Sequence, residues 1–294
     1  METIIECKNL THYYGARCIY TNLNFSIPKG KILGLLGKNG TGKTTLINIL
    51  MGFLKPHSGK CTIFNEPSHN LSAQTKQRIG LLLEGHLQYS FMNIEQLERF
   101  YAAFYPSWRR EPFYELMSKL KIAPGQRVNR MSCGQRSQVA LGLILAQNAD
   151  LLILDDFSMG LDPGYRRLFI DYLNQYVKAE GKTMLLTSHI IQDLENLIDD
   201  CIVLDYGKIL TQLPTTELLN NFKRYRFNTP QSIEALPNEA FFNSEKNKGN
   251  IETYSFFTHE EVKYIFSKSG IQSESLMVEK LSLEDAFIGL TGKY

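Results

Sequence analysis

The stretch Gly37-Lys38-Asn39-Gly40-Thr41-Gly42-Lys43-Thr44 decides the fold, because it fits Gly-x4-Gly-Lys-Thr, the pattern of a phosphate-binding loop. An apolar run precedes it, as in a buried strand, and a helix-like run follows from Thr44 to Gly52. Glycines let backbone N–H groups turn inward around phosphate oxygens, and the helix start adds partial positive charge. Lys43 can then reach the β- and γ-phosphates, and Thr44 can place its hydroxyl on Mg2+. A plain Gly-rich turn is the alternative, which the order strand, loop, helix disfavours. The residues predicted to contact the nucleotide here are Gly37, Asn39, Gly40, Gly42, Lys43, Thr44 and Thr45.

The composition is that of an ordinary globular chain with one or two domains. The 294 residues are 43% hydrophobic and 21% charged. The net charge of +2 neither favours nor excludes nucleic acid. However, no charge run resembles a DNA-binding tail, so we expect no nucleic-acid partner. The five cysteines are scattered without Cys-x2-Cys spacing, which is typical of reduced cytosolic thiols and disfavours a zinc site.

No apolar run approaches the roughly 18–20 residues that cross a bilayer, and the first residues lack a signal-peptide core. We therefore expect a cytoplasmic protein. If it serves a membrane, another chain must span that membrane.

Strands alternating with helices predict an α/β fold with a mostly parallel sheet, preceded by antiparallel N-terminal strands. Leu23, Phe25 and Ile27 alternate as in a strand, before a turn at residues 28–30. From Asn93 to Leu120 the spacing becomes helical, with a break at residues 105–108, which indicates a helical insertion at about residues 86–147. Beyond it we expect a strand at 151–155, a helix at about 165–179, a strand at 184–188 and a helix at about 191–198.

The composition shifts beyond about Phe222, so we predict a nucleotide-binding domain at residues 1–221 and a small α/β accessory domain at residues 222–294. The polar run at residues 243–250 suggests a loop. The remaining patterns predict a strand at 251–257, a helix at 260–268, a strand at 275–279 and a helix at 283–290.

The run Leu151-Leu152-Ile153-Leu154-Asp155-Asp156 supplies the acidic partner that a phosphate loop needs. A buried strand delivers Asp155 to its carboxyl end, where α/β sheets bind ligands. We assign Asp155 to Mg2+ and Asp156 to the attacking water, as general base. A strand followed by a turn is the alternative reading, and the presence of Lys43 favours the catalytic one.

The run Met131-Ser132-Cys133-Gly134-Gln135 resembles the signature Leu-Ser-Gly-Gly-Gln of the ATP-binding cassette (ABC) family. Ser132 would also cap the helix that follows. Gly160-Leu161-Asp162-Pro163 looks like the D-loop of that family, and His189 like its switch histidine, which contacts the γ-phosphate. Tyr14 looks like the aromatic residue that stacks on adenine, with Tyr13 as a competitor. The resemblance covers about residues 1–220.

The resemblance implies an ATPase in which two nucleotide-binding subunits, two copies or a copy and a paralogue, face each other head to tail. ATP and Mg2+ lie between the phosphate loop of one subunit and the signature helix of the other. Ser132, Gly134, Gln135 and Asp162 therefore serve the opposite ATP. The helical insertion transmits closure to integral-membrane permease subunits, which places this chain on the inner face of the cell membrane.

Three positions depart from the family pattern. Asp156 stands where the family has Glu; its side chain is shorter by about 1.5 Å of reach, which predicts slow hydrolysis or a water that bridges the gap. Glu84 replaces the Gln of the Q-loop; it can still ligate Mg2+ and act in catalysis, but it donates no N–H. Cys133 replaces the first signature glycine.

Glu84 resembles the subgroup that exports bacitracin and lantibiotic peptides, and residues 105–108 and 282–287 resemble drug exporters, so a drug or antimicrobial peptide is the expected substrate. Two alternatives stay open. One is a slow or degenerate subunit that regulates a more active partner. The other is a soluble non-transport ABC ATPase. Against the latter, the chain has a single cassette, and the segment from Lys43 to Ser132 is too short for a long coiled-coil insertion.

Overall fold

The computed structural model describes residues 2–83, 89–158, 160–237, 239–247 and 249–293, and the prediction for Glu84 lies outside them. In chain order the strands are β1 (Thr3–Tyr14), β2 (Arg17–Pro28), β3 (Ile32–Gly37), β4 (Ser58–Ile63), β5 (Glu66–Pro67), β6 (Ile79–Leu82), β7 (Leu151–Leu154), β8 (Thr183–Leu186), β9 (Asp200–Asp205), β10 (Lys208–Pro214), β11 (Lys223–Asn228), β12 (Phe242–Asn247), β13 (Asn250–Ser255) and β14 (Glu274–Glu279). The helices are α1 (Lys43–Leu50), α2 (Ala73–Gln77), α3 (Ile94–Ala102), α4 (Arg110–Lys119), α5 (Cys133–Ala146), α6 (Pro163–Ala179), α7 (Thr215–Asn221), α8 (His259–Lys268) and α9 (Leu283–Thr291).

The N-terminal sheet is antiparallel, in the order β2-β1-β4-β5. Leu23, Phe25 and Ile27 are all buried, as their alternation in the sequence predicts. The residues between them face away from the core, so the strand follows the period of two that a half-buried sheet requires. This sheet forms one wall behind the phosphate loop.

The central sheet has the order β10-β9-β3-β8-β7-β6 and confirms the expected α/β class. Its five strands from β9 to β6 run parallel, and β10 is an antiparallel edge strand. β3, β8 and β7 are neighbours, so their carboxyl ends meet at one edge of the sheet. That edge is where open α/β sheets bind ligands.

The helical insertion contains α3, α4 and α5, and the predicted break at residues 105–108 separates α3 from α4. Glu98 of α3 is fully buried, and Arg110 of α4 donates two hydrogen bonds to its carboxylate at 3.0 and 2.9 Å. Trp108 adds a third hydrogen bond at 2.8 Å. The chain between α3 and α4 therefore folds back so that Trp108 and Arg110 reach the buried carboxylate of Glu98. The start of the insertion, near residue 86, lies outside the described residues.

Beyond residue 222 a third, antiparallel sheet has the order β12-β13-β11-β14. Val262 and Phe266 of α8 are buried in one cluster with Tyr225 and Phe227. Across the sheet, α9 shares a buried cluster with Tyr254. The domain boundary itself stays a prediction, but this sheet is an α/β appendage of the expected kind.

Two predictions of secondary structure were wrong. In the polar run, residues 243–247 and 250 are strand, because β12 pairs with β13 at the edge of the sheet, where polar side chains meet water. The expected helix at residues 191–198 is a short 3-10 turn at Ile191–Asp193 followed by further turns. Its apolar spacing was helical, but these side chains pack against α9 instead of extending a helix.

Candidate nucleotide site

The phosphate loop is shaped by close backbone approach. Gly42 has φ +101°, and a Cβ there would lie 2.5 Å from the Tyr20 hydroxyl and 2.7 Å from Ile19. The Tyr20 hydroxyl donates a hydrogen bond to the Gly42 carbonyl. A residue with a side chain at position 42 would therefore need a strained backbone conformation, and its side chain would clash with Tyr20 and Ile19.

Lys38 organises the loop through its carbonyl oxygen. That oxygen accepts hydrogen bonds from the Thr41 N–H at 3.3 Å, the Thr41 hydroxyl at 2.8 Å and Lys43 Nζ at 3.1 Å. Lys43 Nζ also donates to the Gly37 carbonyl at 2.6 Å. The ammonium group thus lies inside the curve of the loop, where phosphate oxygens could replace these carbonyls.

Lys43 is buried, and burial lowers the pKa of its ammonium group, while the charges of Asp155 and Asp156 act in the opposite direction. The hydrogen-bond partners of this partly desolvated cation are the neutral carbonyls of Gly37 and Lys38, not anionic oxygens. Phosphate oxygens would supply them.

Asp155 follows β7 and is held by Thr187, which follows β8. The Thr187 hydroxyl donates to Asp155 Oδ1 at 2.7 Å and accepts the Asp156 N–H at 2.9 Å. Asp155 Oδ2 is buried and has no hydrogen-bond partner among the described residues. A buried carboxylate oxygen without a partner suits Mg2+, a hard cation that binds oxygen. The exposed hydroxyl of Thr44 at the start of α1 is the second oxygen available for it.

Asp156 is engaged by His189. Its Oδ1 accepts the His189 N–H at 3.2 Å, and its Oδ2 lies 3.1 Å from His189 Nε2. The backbone of Asp156 has φ +46°, a region that Asp and Asn tolerate better than most residues. The proposed base and the proposed switch residue therefore pair with each other in this conformation.

These residues share one cleft of about 320 Å³. Tyr14 is half exposed at the rim, while Tyr13 packs edge-on against the His57 ring with centroids 5.4 Å apart. This arrangement favours Tyr14 for stacking on a base. The predicted residues that line the cleft are Tyr14, Asn39, Gly40, Gly42, Lys43, Thr44, Thr45, Asp155, Asp156 and His189.

The signature residues lie elsewhere. Ser132 caps α5 by accepting the Gln135 N–H at 3.2 Å, and the Gln135 side chain accepts the Ser132 N–H at 3.1 Å. A Cβ on Gly134 would lie 2.8 Å from the Gly160 carbonyl, so the signature helix and the loop before Asp162 touch. Ser132, Gly134, Gln135 and Asp162 are not among the described residues that line the cleft.

The structure adds cleft residues that the motifs did not indicate. Arg17 lines the cleft and donates to the Gly40 carbonyl at 2.8 Å, and Ile19 packs beside Gly42. The only sequence signal was their position soon after Tyr14. Thr187 could have been found as a hydroxyl at the end of a buried strand, two residues before His189.

The chain is similar to known proteins of one family. Residues 20–158 match the family model described as ABC transporter. The Nod factor export ATP-binding protein I of Burkholderia orbicola is 31% identical over 71% of this chain and 70% of its own length. The bacitracin transport ATP-binding protein BcrA of Bacillus licheniformis is 28% identical over 99% of this chain and 98% of its own length.

Among solved structures, the fold matches a dimeric post-hydrolysis state of the ATP-binding cassette MJ0796, bound to ADP and Pi. The TM-score is 0.64 at 21% identity, covering 72% of this chain and 99% of that one. The class that the fold defines is thus an α/β protein with the ATP-binding cassette fold. This chain belongs to the ABC transporter family, as an ATP-binding, ATP-hydrolysing subunit. Within the described ranges, no helix has the length and apolar character to cross a bilayer.

Proposed function

We propose that this chain binds Mg-ATP in the cleft between β3, β7 and β8, and that ATP closes it against a second nucleotide-binding subunit to drive an export permease. One observation carries the proposal: Lys43, Asp155, Asp156 and His189 converge on a single cleft although they come from three strand ends.

Each residue then has a role. Lys43 exchanges the carbonyls of Gly37 and Lys38 for phosphate oxygens, and Tyr14 stacks on the adenine. Thr44 and Asp155 hold Mg2+, with Asp155 oriented by Thr187. When bound, the metal stabilises negative charge that develops on the transferred phosphoryl group.

Asp156 and His189 must separate before either can act. In the observed pairing, the carboxylate that would accept a proton from water is bonded to the His189 backbone and faces its ring. A γ-phosphate that attracts the His189 ring would release Asp156 toward water. Asp156 would then be available as a base only when a γ-phosphate is bound.

The signature residues support the dimer. Gly134 lies against Gly160 and Leu161, the two residues before Asp162, at the N-terminus of the 14-residue helix α5, and none of Ser132, Gly134 and Asp162 is among the described residues that line their own cleft. Backbone N–H groups at a helix N-terminus bind anions. A second subunit placed head to tail would bring these groups to the γ-phosphate. Removing that phosphate then removes the contact that closes the dimer.

A second cleft supports the proposal that a membrane permease binds this chain. It has a volume of about 450 Å³ and lies between the end of α1, strand β6 and the helical insertion. Phe53 on its wall and the nearby chain at Phe104 expose large apolar rings, 63% and 58% accessible. Tyr105, from the break between α3 and α4, lines the other wall. A short cytoplasmic helix of a permease, with apolar side chains, fits such a groove.

The substrate follows from relatives, one named for bacitracin transport and another for Nod factor export. We propose export of a drug or an antimicrobial peptide, and place the chain on the inner face of the cell membrane beside its permease. The observed Asp156–His189 pairing also supports a second candidate, a slow subunit that regulates a more active partner.

The test is ATP turnover of the complex purified with its membrane subunit. Lys43→Ala should lower turnover on the order of a hundredfold or more, because it removes a main electrostatic partner of the transferred phosphate. Lys60→Ala, an exposed lysine on β4, is the matched control and should behave as wild type. Equal turnover of wild type and Lys43→Ala would refute the site. Sound ATP binding with barely measurable turnover would favour the regulatory subunit, and purification without any multi-span protein would refute the transporter.

A further inference from the structure

Helix α9 lies between the nucleotide-binding core and the accessory sheet. Its buried side chains Leu283, Phe287 and Leu290 share a cluster with Leu194 and Leu197, which follow the switch histidine. Nine residues make it about 13.5 Å long. That length connects two loops at the ligand edge of the central sheet.

The N-terminal end of α9 is hydrogen-bonded to residues 190–198, which follow His189 and are called the switch segment. Glu195 accepts the Leu283 N–H at 2.7 Å, and Gln192 donates to Glu284 at 2.5 Å. A carboxylate at a helix N-terminus is favoured by the partial positive charge there. Glu195 thus anchors the start of α9 to the switch segment.

The C-terminal end of α9 is tied to the phosphate loop. Lys38 Nζ donates to the Thr291 carbonyl at 2.9 Å, where a helix carries partial negative charge. The Lys38 carbonyl is the one that accepts from Thr41 and Lys43. The carbonyl of Lys38 thus organises the phosphate loop, while the side chain of the same residue is hydrogen-bonded to α9 outside the cleft.

The other side of α9 is bonded to the accessory sheet. Arg224 donates to Asp285 at 2.8 Å, and Asn243 donates to the Gly289 carbonyl at 2.7 Å. Movement of the accessory sheet would therefore be transmitted to α9, and through it to both loops.

We propose that α9 positions the phosphate loop relative to the switch segment, with Lys38 and Glu195 as positioning residues for ATP. The inference rests on the proposed ATP site. Releasing either end frees the loop that binds phosphates, whereas Asp155 and Asp156 keep their own bonds to Thr187. Loss of the hydrogen bond at either end of α9 should therefore weaken ATP binding more than it slows the chemical step.

The first test is amide hydrogen exchange in the full, nucleotide-free chain. Glu195→Ala should accelerate exchange at residues 37–44, at the opposite end of α9. Glu66→Ala is the matched control, because Glu66 accepts the Ser72 N–H at 2.8 Å at the start of α2, away from α9. Unchanged exchange at residues 37–44 in Glu195→Ala would overturn the proposal. This readout needs no ATP, so it fails or succeeds independently of the proposed function.

The second test is steady-state turnover in the assembled complex. Lys38→Met and Glu195→Ala should each raise KM for ATP about three- to tenfold, less than the full value of a charge-assisted hydrogen bond because neither bond contacts ATP, with kcat changed less than about twofold. Lys38→Arg should restore KM because it keeps the donor. Lys223→Met is the control, since Lys223 likewise donates to a carbonyl near a helix end, Leu219 at 2.8 Å.

The double variant separates positioning from direct phosphate contact by Lys38. If both residues act through α9, combining Lys38→Met with Glu195→Ala should raise KM by less than the product of the single effects. Fully multiplicative effects would overturn the proposal. Failure of the ATP site itself would be seen separately, as wild type binding ATP no better than Lys43→Ala.

Discussion

Lengthening Asp156 by one methylene, Asp156→Glu, should increase ATP turnover. The carboxylate now accepts the His189 N–H at 3.2 Å and lies 3.1 Å from His189 Nε2, so the short side chain is held back against the switch segment. Glu extends the reach by about 1.5 Å. Because a misplacement near 1 Å can cost on the order of a hundredfold in rate, we expect kcat to rise about tenfold, the remainder being lost in breaking the bonds to His189.

The backbone limits the gain but does not reverse it. Asp156 has φ +46°, which Glu adopts less readily than Asp, at an expense of about 1 kcal/mol in folding free energy. The strain lowers stability without changing the geometry of the bound nucleotide. We therefore expect the midpoint of thermal unfolding to fall by a few degrees while the dissociation constant for ATP stays within about twofold.

The assay is steady-state phosphate release by the complex at saturating ATP. Asp156→Asn, which keeps the size but not the proton-accepting charge, should lose at least about a hundredfold. If Asp156→Glu binds ATP as wild type does and releases phosphate no faster, the shortness of Asp156 is not what limits hydrolysis.

Three further outcomes follow from single contacts. Thr187→Val should raise the Mg2+ concentration needed for half-maximal nucleotide binding, because Asp155 loses the bond that orients it, and Thr187→Ser should restore it; equal Mg2+ requirements would contradict the role. His12 is buried, and this burial, with a smaller effect from the charge of nearby His57, lowers the pKa of its imidazole. The unfolded chain therefore binds a proton at a higher pH than the folded chain does. As a result, the free energy of unfolding falls as the pH drops below about 6.5. Denaturant unfolding of His12→Gln between pH 5 and 7 should therefore show a flatter pH dependence than wild type, and parallel curves would contradict it. Glu98→Gln should lower the free energy of unfolding by about 2 kcal/mol, the value of charge-assisted bonds to a buried carboxylate; a loss near the few tenths expected at an exposed pair would contradict it.

The central fold was predictable because its signals are local. The phosphate loop, the strand ending at Asp155 and the capping serine at position 132 each occupy a few consecutive residues, so each pattern could be recognised without knowing the rest of the fold. The carboxyl ends of parallel neighbours then had to meet at one edge of the sheet.

What failed depends on contacts between distant parts of the chain. The segment after His189 has helical apolar spacing, but its Asp193 pairs with Arg166 at 2.7 Å and its Glu195 bonds to α9, so it turns instead of extending. The tie between Lys38 and Thr291 joins residues 253 positions apart and leaves no local pattern. The pairing of Asp156 with His189 likewise depends on how two strand ends meet.

Thiol labelling at Cys133 measures directly whether ATP is held between two subunits. Cys133 is exposed beside Ser132 at the start of α5, on the surface that the dimer would cover. The measurement uses Asp156→Asn to keep ATP intact, with Cys133→Ser to define the labelling of the other exposed thiol, Cys18. If ATP is held between two subunits, Mg-ATP slows alkylation of Cys133, and Lys43→Ala abolishes this protection. Labelling of Cys133 at the same rate with and without saturating Mg-ATP would contradict it.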